Sequence, residues 1–168
     1  MARAETKIKD GAAPFLEDGE EVLGAFVGRP RGWTQSNASA GGGALAGLVG
    51  GTIGGKKQEK NMAAAEESGF ELPNPMALAI SERRLLALKI SSPIGLGLGG
   101  DVKELTSSAP LSDVDSIEVK RLAAGKTVTV TVRGVPFVLE VGAGGNAKGV
   151  AEAFESAKGA AAAGPSAG

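Results

Sequence analysis

Few residues in this chain have the types and spacing that chemistry needs. The stretch "GGTIGGKK" (Gly50–Lys57) comes nearest to a phosphate-binding loop, with Gly50, Gly55 and Lys56 in register. In such a loop backbone N–H groups cradle phosphates, the lysine reaches them, and a Ser or Thr hydroxyl holds magnesium. Lys57 occupies the hydroxyl position here and would repel the metal. The preceding "GALAGLV" also lacks the β-branched weight of a buried strand. A second stretch, "VGAGGNA" (Val141–Ala147), has the G-x-G-x-x-A spacing of a dinucleotide turn. Too little chain follows for a second parallel strand and a ribose-binding acid, so it reads as a glycine turn into a helix. "GLGLGG" (Gly95–Gly100) shares the spacing but leads toward a strand. No nucleotide is expected to bind.

Acid–base chemistry has little to draw on. The chain contains no histidine and no cysteine, which removes the commonest general base, thiolate nucleophiles, disulfides and the usual nitrogen and sulfur metal ligands. The carboxylate pairs Glu17/Asp18, Glu66/Glu67 and Asp113/Asp115 fall in turns or on polar faces and read as solvated surface. The expectation is therefore a non-enzymatic protein without metal or cofactor. A formal net charge of −1 supplies no basic field for nucleic acid. The first residues, "MARAETKIKDGAAP", lack the apolar stretch of a secretory signal, which points to a cytoplasmic protein.

The elements that would position any site are mainly strands. Residues 1–14 read as a flexible tail, and residues 15–158 as one domain with a glycine-rich insertion over about 32–69. Residues 159–168, ending "AAAAGPSAG", read as a disordered tail. A first strand runs from Glu21 to Gly28. "MALAISERRLLALKI" gives Met76, Leu78 and Ile80 in period two, a polar break at Ser81–Arg84, and Leu86, Leu88 and Ile90 in period two, which is a hairpin. "DVKELTSSA" and "VDSIEVKRL" follow as strands, the second with Ile117 and Val119 on one face and Glu118 and Lys120 on the other. "KTVTVTVR" alternates valine with threonine, both favoured on a pleated surface. "VPFVLEV" carries Pro136 near its start, where a lost donor costs least. The period then changes: Val150, Phe154 and Ala157 lie on one helical stripe, capped by Asn146 and closed by Gly159.

About seven strands and one amphipathic helix need a second layer or closure on themselves. The order of "LEDGEEVLGAF", "ALAISERRLLAL", "APLSDVDSIEV", a valine-rich hairpin and a final helix resembles the bacterial pleckstrin-homology-like domains. The resemblance rests on Gly19-Glu20 before the first strand, Ser81–Leu86 in mid-domain and Pro110–Ile117 ahead of the hairpin. Ser81 stands where that family usually has Thr, and Val114 where it has Ile. It covers roughly 15–31 and 70–158. It implies a mainly β fold, a seven-stranded antiparallel barrel capped by a C-terminal helix. A small barrel of the oligonucleotide-binding type is the alternative.

The insertion carries the strongest pattern outside the strands. From Gly32 to Gly55 no charge appears, and Gly43, Gly47, Gly51 and Gly55 recur every four residues. Small residues at that spacing let helix backbones approach closely, so the stretch reads as a self-association or protein-contact element, or else as a flexible loop. As a helix, residues 36–55 would span roughly 30 Å, one hydrocarbon thickness. Leu45, Leu48, Val49 and Ile53 are too few to make it a good membrane span. In pleckstrin-homology domains this loop often meets lipid head groups. Arg29, Arg31, Lys56, Lys57 and Lys60 flank it here, Trp33 stands at its start, and Arg83 and Arg84 add charge nearby. The expected partner is another protein or a second copy. The alternative is peripheral binding to an anionic membrane through Arg29, Arg31, Trp33, Lys56, Lys57 and Lys60.

Overall fold

The computed structural model describes residues 3–30, 63–73, 76–91, 101–122, 125–142 and 145–162. Helix α1 (Arg3–Ala12) and a 3-10 turn at Ala13–Phe15 lead into β1 (Val22–Pro30). Residues 63–67 are helical. Strands β2 (Met76–Ser81), β3 (Arg84–Ile90) and β4 (Val102–Pro110) follow. A 3-10 turn at Leu111–Asp113 then joins β4 to β5 (Val114–Leu122), β6 (Gly125–Val132), β7 (Val135–Val141) and helix α2 (Ala147–Ala162).

The strands form one antiparallel sheet in the order β4-β3-β2-β1-β7-β6-β5. β1 belongs to both halves: residues from Val22 to Gly28 pair with β2, and Arg29 and Pro30 pair with Glu140 and Leu139 of β7. The sheet does not close, because β4 and β5 end it without pairing to each other. The seven strands and terminal helix expected from the sequence are present, but the closed barrel is corrected to a bent open sheet. Seven strands also exceed the five of an oligonucleotide-binding barrel.

The main core fills the inside of the bend. Phe26, Met76, Leu78, Ile80, Leu85, Val130, Phe137 and Leu139 converge there, and Val150 and Phe154 of α2 are fully buried among them. Asn146 caps α2 as expected, its Oδ1 accepting the Gly149 N–H at 3.2 Å. Gly159 does not end the helix. Alanines after it carry α2 on to Ala162, because a helix-favouring run outweighs one glycine.

Two further boundaries move. The expected N-terminal tail is α1 and its 3-10 turn, and Ile8 and Ala12 are completely buried against Ala25, Ala77, Ala79, Leu86 and Leu88. That second cluster lies on the outer face of β1–β4, so this half of the sheet is covered on both sides. Leu86, Leu88 and Ile90 therefore face α1, while Leu85 and Ala87 face the main core. Gly11 fits here because a Cβ would stand 2.8 Å from a methyl of Val102. The insertion is also shorter than its expected span of 32–69. Ala65, Phe70 and Leu72 are part of the main core, and the Phe70 ring stacks on Phe137 at 5.6 Å.

Candidate interaction surfaces

Two of the three stretches that carry the family resemblance, Gly19-Glu20 and Ser81–Leu86, meet in one ion-pair cluster. Gly19, at φ +78, turns the chain so that Glu20 points inward. Arg84 grips the Glu20 carboxylate with two N–H groups, Nε to Oε1 at 2.9 Å and Nη2 to Oε2 at 2.8 Å. The Ser81 hydroxyl donates to Oε1 at 2.6 Å, and the Glu17 amide donates to Oε2 at 2.8 Å. Arg84 also donates to the Phe15 carbonyl at 2.9 Å, which ties the α1–β1 connection to the β2–β3 hairpin. The guanidinium, helped by the Glu17 amide and the Ser81 hydroxyl, outweighs burial and holds the Glu20 carboxyl down at about 2. Every oxygen of that carboxylate is engaged, so the cluster acts as a structural clasp.

Adjacent arginines thus have different fates. Arg84 is withdrawn into the clasp, while Arg83 is exposed and meets Glu17 at 3.3 Å. Of the residues expected to meet lipid, Arg29 is described. It lies in β1 directly across from Glu140. Arg31, Trp33, Lys56, Lys57 and Lys60 lie outside the described residues, as do Gly43, Gly47, Gly51 and Gly55 and the whole stretch 36–55.

What the structure does fix is the base from which the insertion leaves. On one side Arg29 and Pro30 are held in the β1–β7 ladder. On the other, Phe70 and Leu72 are anchored in the core, and the Glu71 N–H donates to Ser107 Oγ of β4 at 2.9 Å. Arg133 adds a second anchor. It sits at φ +50 in the β6–β7 turn, pairs with Asp113 at 2.8 Å, and donates to the Ser68 carbonyl. Sequence reading missed both anchors; an aromatic three residues ahead of Pro73 was the one visible signal of the first.

The register brings a second glycine-rich connection to the same place. Gly28 lies opposite Met76, Met76 opposite Lys89, and Ile90 opposite Val102. The β1–β2 and β3–β4 connections therefore leave one end of the β1–β4 half side by side. The second is pinned by Ser91 and Asp101, whose main-chain and hydroxyl groups exchange two hydrogen bonds of 2.9 Å. Lys7 of α1 pairs with Asp101 at 2.8 Å and holds its carboxyl below the usual carboxylate range. Three described cations at this end each face a carboxylate, Arg29 opposite Glu140, Lys89 opposite Glu104 and Lys7 beside Asp101, and Lys103 also acts on Asp101.

Among the described residues no group of three acidic side chains is placed to hold a metal ion, and no helix is long and apolar enough to cross a membrane. No family model matches the chain, and no curated protein matches it. Among solved structures it is similar to a DUF1696-family protein with a pleckstrin-homology domain from Shewanella loihica. That likeness has 12% identity and a TM-score of 0.43 over 90% of this chain and 93% of that one. It is also similar to a pleckstrin-homology domain from Shewanella amazonensis, with 13% identity and a TM-score of 0.44 over 89% and 94%. Neither likeness bears on ligand or partner. Seven antiparallel strands, with β1 shared between two half-sheets and a C-terminal helix packed inside the bend, make the fold pleckstrin-homology-like.

Proposed function

We propose that this chain is a non-enzymatic interaction module, and that its contact surface is the sheet end from which the two glycine-rich connections leave. The partner is another protein or a second copy of the chain. One observation supports the reading: the β-ladder register sets side by side the strand ends from which the connections 31–62 and 92–100 leave. The first holds the Gly43, Gly47, Gly51 and Gly55 repeat and the second holds "GLGLGG". Side chains that small let a partner backbone come close, and the anchored base lowers the entropy lost when it does. The competing reading, an anionic membrane surface, is disfavoured by the carboxylates that face the described cations at this end.

Deletion of Ala38–Gly55 tests the reading. The fold should persist, since the anchors at residues 68–73 remain and a shortened loop changes closure entropy by only about 0.6 kcal/mol per halving. The deletion variant is expected to keep its melting temperature and lose oligomer mass in light scattering. Retention of all association would sink the proposal. Sedimentation of the full chain with phosphatidylserine vesicles, abolished by the same deletion, would replace it with the membrane reading.

A further inference from the structure

The two edges of the sheet differ in how they are closed. β4 is covered at both ends: Val102 lies under Gly11 of α1, and Ser107 accepts a hydrogen bond from Glu71. β5 is covered only at its start, where Lys158 Nζ donates to the carbonyls of Val114 at 2.8 Å and Asp115 at 3.1 Å. Beyond that point its outer edge, the one away from β6, has no strand partner among the described residues, and Glu118, Lys120, Arg121 and Leu122 are exposed. An open edge presents unpaired N–H and C=O groups, and natural proteins commonly blunt such edges with lysine. Here the lysine comes with an acid two residues away, and the pair is symmetric about Val119.

We propose that β5 pairs antiparallel with the β5 of a second copy, on a two-fold axis at Val119. In that register Glu118 of each copy stands opposite Lys120 of the other, so two opposite-charge cross-strand pairs form at once. Shifting the axis by one residue in either direction sets Glu118 on Glu118 or Lys120 on Lys120, which like-charge repulsion disfavours. The faces agree at the axis, with Arg121 of each copy opposite Ile117 of the other at the rim. Ile117 is buried and Val119 packs against the core opposite Val128, so the two Val119 side chains extend the apolar face, while Glu118 and Lys120 meet on the polar face beside Thr129 and Thr127. Among the described residues neither Glu118 nor Lys120 is already held in an ion pair. A net charge of −1 leaves little long-range repulsion between copies. The contact is independent of the glycine-rich end and goes beyond the function proposed above.

The test uses the full chain in sedimentation velocity over a concentration series. Glu118→Lys and Lys120→Glu each create two like-charge pairs and should weaken dimerisation about tenfold. The double variant E118K/K120E restores complementarity and should return the dissociation constant to near its original value. The chain has no cysteine, so Val119→Cys should form a disulfide-linked dimer under mild oxidation, whereas Leu122→Cys, displaced from the axis, should cross-link at least about tenfold more slowly. Unchanged association in either single variant, no recovery in the double variant, or equal cross-linking at both positions would overturn the proposal. Association lost on deleting Ala38–Gly55 but indifferent to these charges overturns this contact and leaves the glycine-rich one standing. The opposite result does the reverse, and a chain monomeric at every concentration overturns both.

Discussion

The two halves of the sheet solve the same burial problem in different ways. In β5–β7 only the inner face is covered: Val128, Val130 and Val132 are buried, while Thr127, Thr129 and Thr131 between them are partly open. In β1–β3 both faces are covered, by the main core on one side and by α1 on the other. All six residues of β2 are buried as a result. A strand with one wet face must alternate in sequence; a strand buried on both sides need not. The lesson is that "LLAL" in β3 and "MALAI" in β2 already call for a second covering layer, even though nothing near them in sequence supplies it.

The largest expected effect comes from the element that joins the halves. Phe154 of α2 is fully buried between them, and Val150 packs beside Gly24 of β1, where an added Cβ would lie 3.3 Å away. Phe154→Ala should cost about 3–5 kcal/mol. Because α2 packs inside the bend, both halves should melt together in a single lowered transition, followed by circular dichroism. Two separated transitions would show that the halves are independent folding units.

Next is the layer that makes the halves unlike. Ile8 is the largest α1 side chain in the outer cluster, completely buried against the alanines of β1 and β2 and the leucines of β3. Ile8→Ala should destabilise by about 2–5 kcal/mol, a large share of a small domain's total. An unchanged denaturant midpoint would return residues 1–14 to the status of a tail. The sequence hid this helix for a physical reason. It needs only Ile8 and Ala12, one turn apart, because its partners across the interface are themselves alanines, and small meets small. The strands of β5–β7 were readable because alternation is a local property, as was the Asn146 cap. The anchors at Phe70 and Arg133 were not, because their partners Phe137 and Asp113 lie far away in the chain. Neither was the fate of Arg83 and Arg84. Two like residues in succession look equivalent until the turn directs one to Glu17 and the other to buried Glu20.

The clasp at the β2–β3 end gives a pH-dependent difference. Glu20 is held at about 2 in the folded state, below its ordinary value of 4.5. A depressed carboxyl adds stability that is fully present above pH 4.5 and is lost as pH falls toward 2. The shift corresponds to up to ~3 kcal/mol at about 1.36 kcal/mol per pH unit. Glu20→Gln should therefore lower stability near pH 7 and flatten the acid limb between about pH 4.5 and 2. If the variant keeps the acid limb of the parent protein, other carboxylates carry it.

The smallest effect is the one that defines the comparison most sharply. Thr129 and Ala79 occupy corresponding outer-face positions on central strands of the two halves, β6 and β2. Thr129 lies opposite Glu118 and Val138, on the side of the sheet that the core leaves uncovered. Thr129→Lys loses some strand preference, but the new ammonium can stay in water and sit beside Glu118, so the change should fall within about 0.5 kcal/mol. Ala79→Lys forces the same ammonium under α1 beside Ile8 and Ala12, out of water, and it should destabilise the fold severely. Chemical denaturation of the two variants against the parent protein measures the contrast directly. Equal tolerance would mean that α1 lifts away easily and that the doubly covered half is covered in name only. Equal damage would mean that something also packs on the outer face of β5–β7.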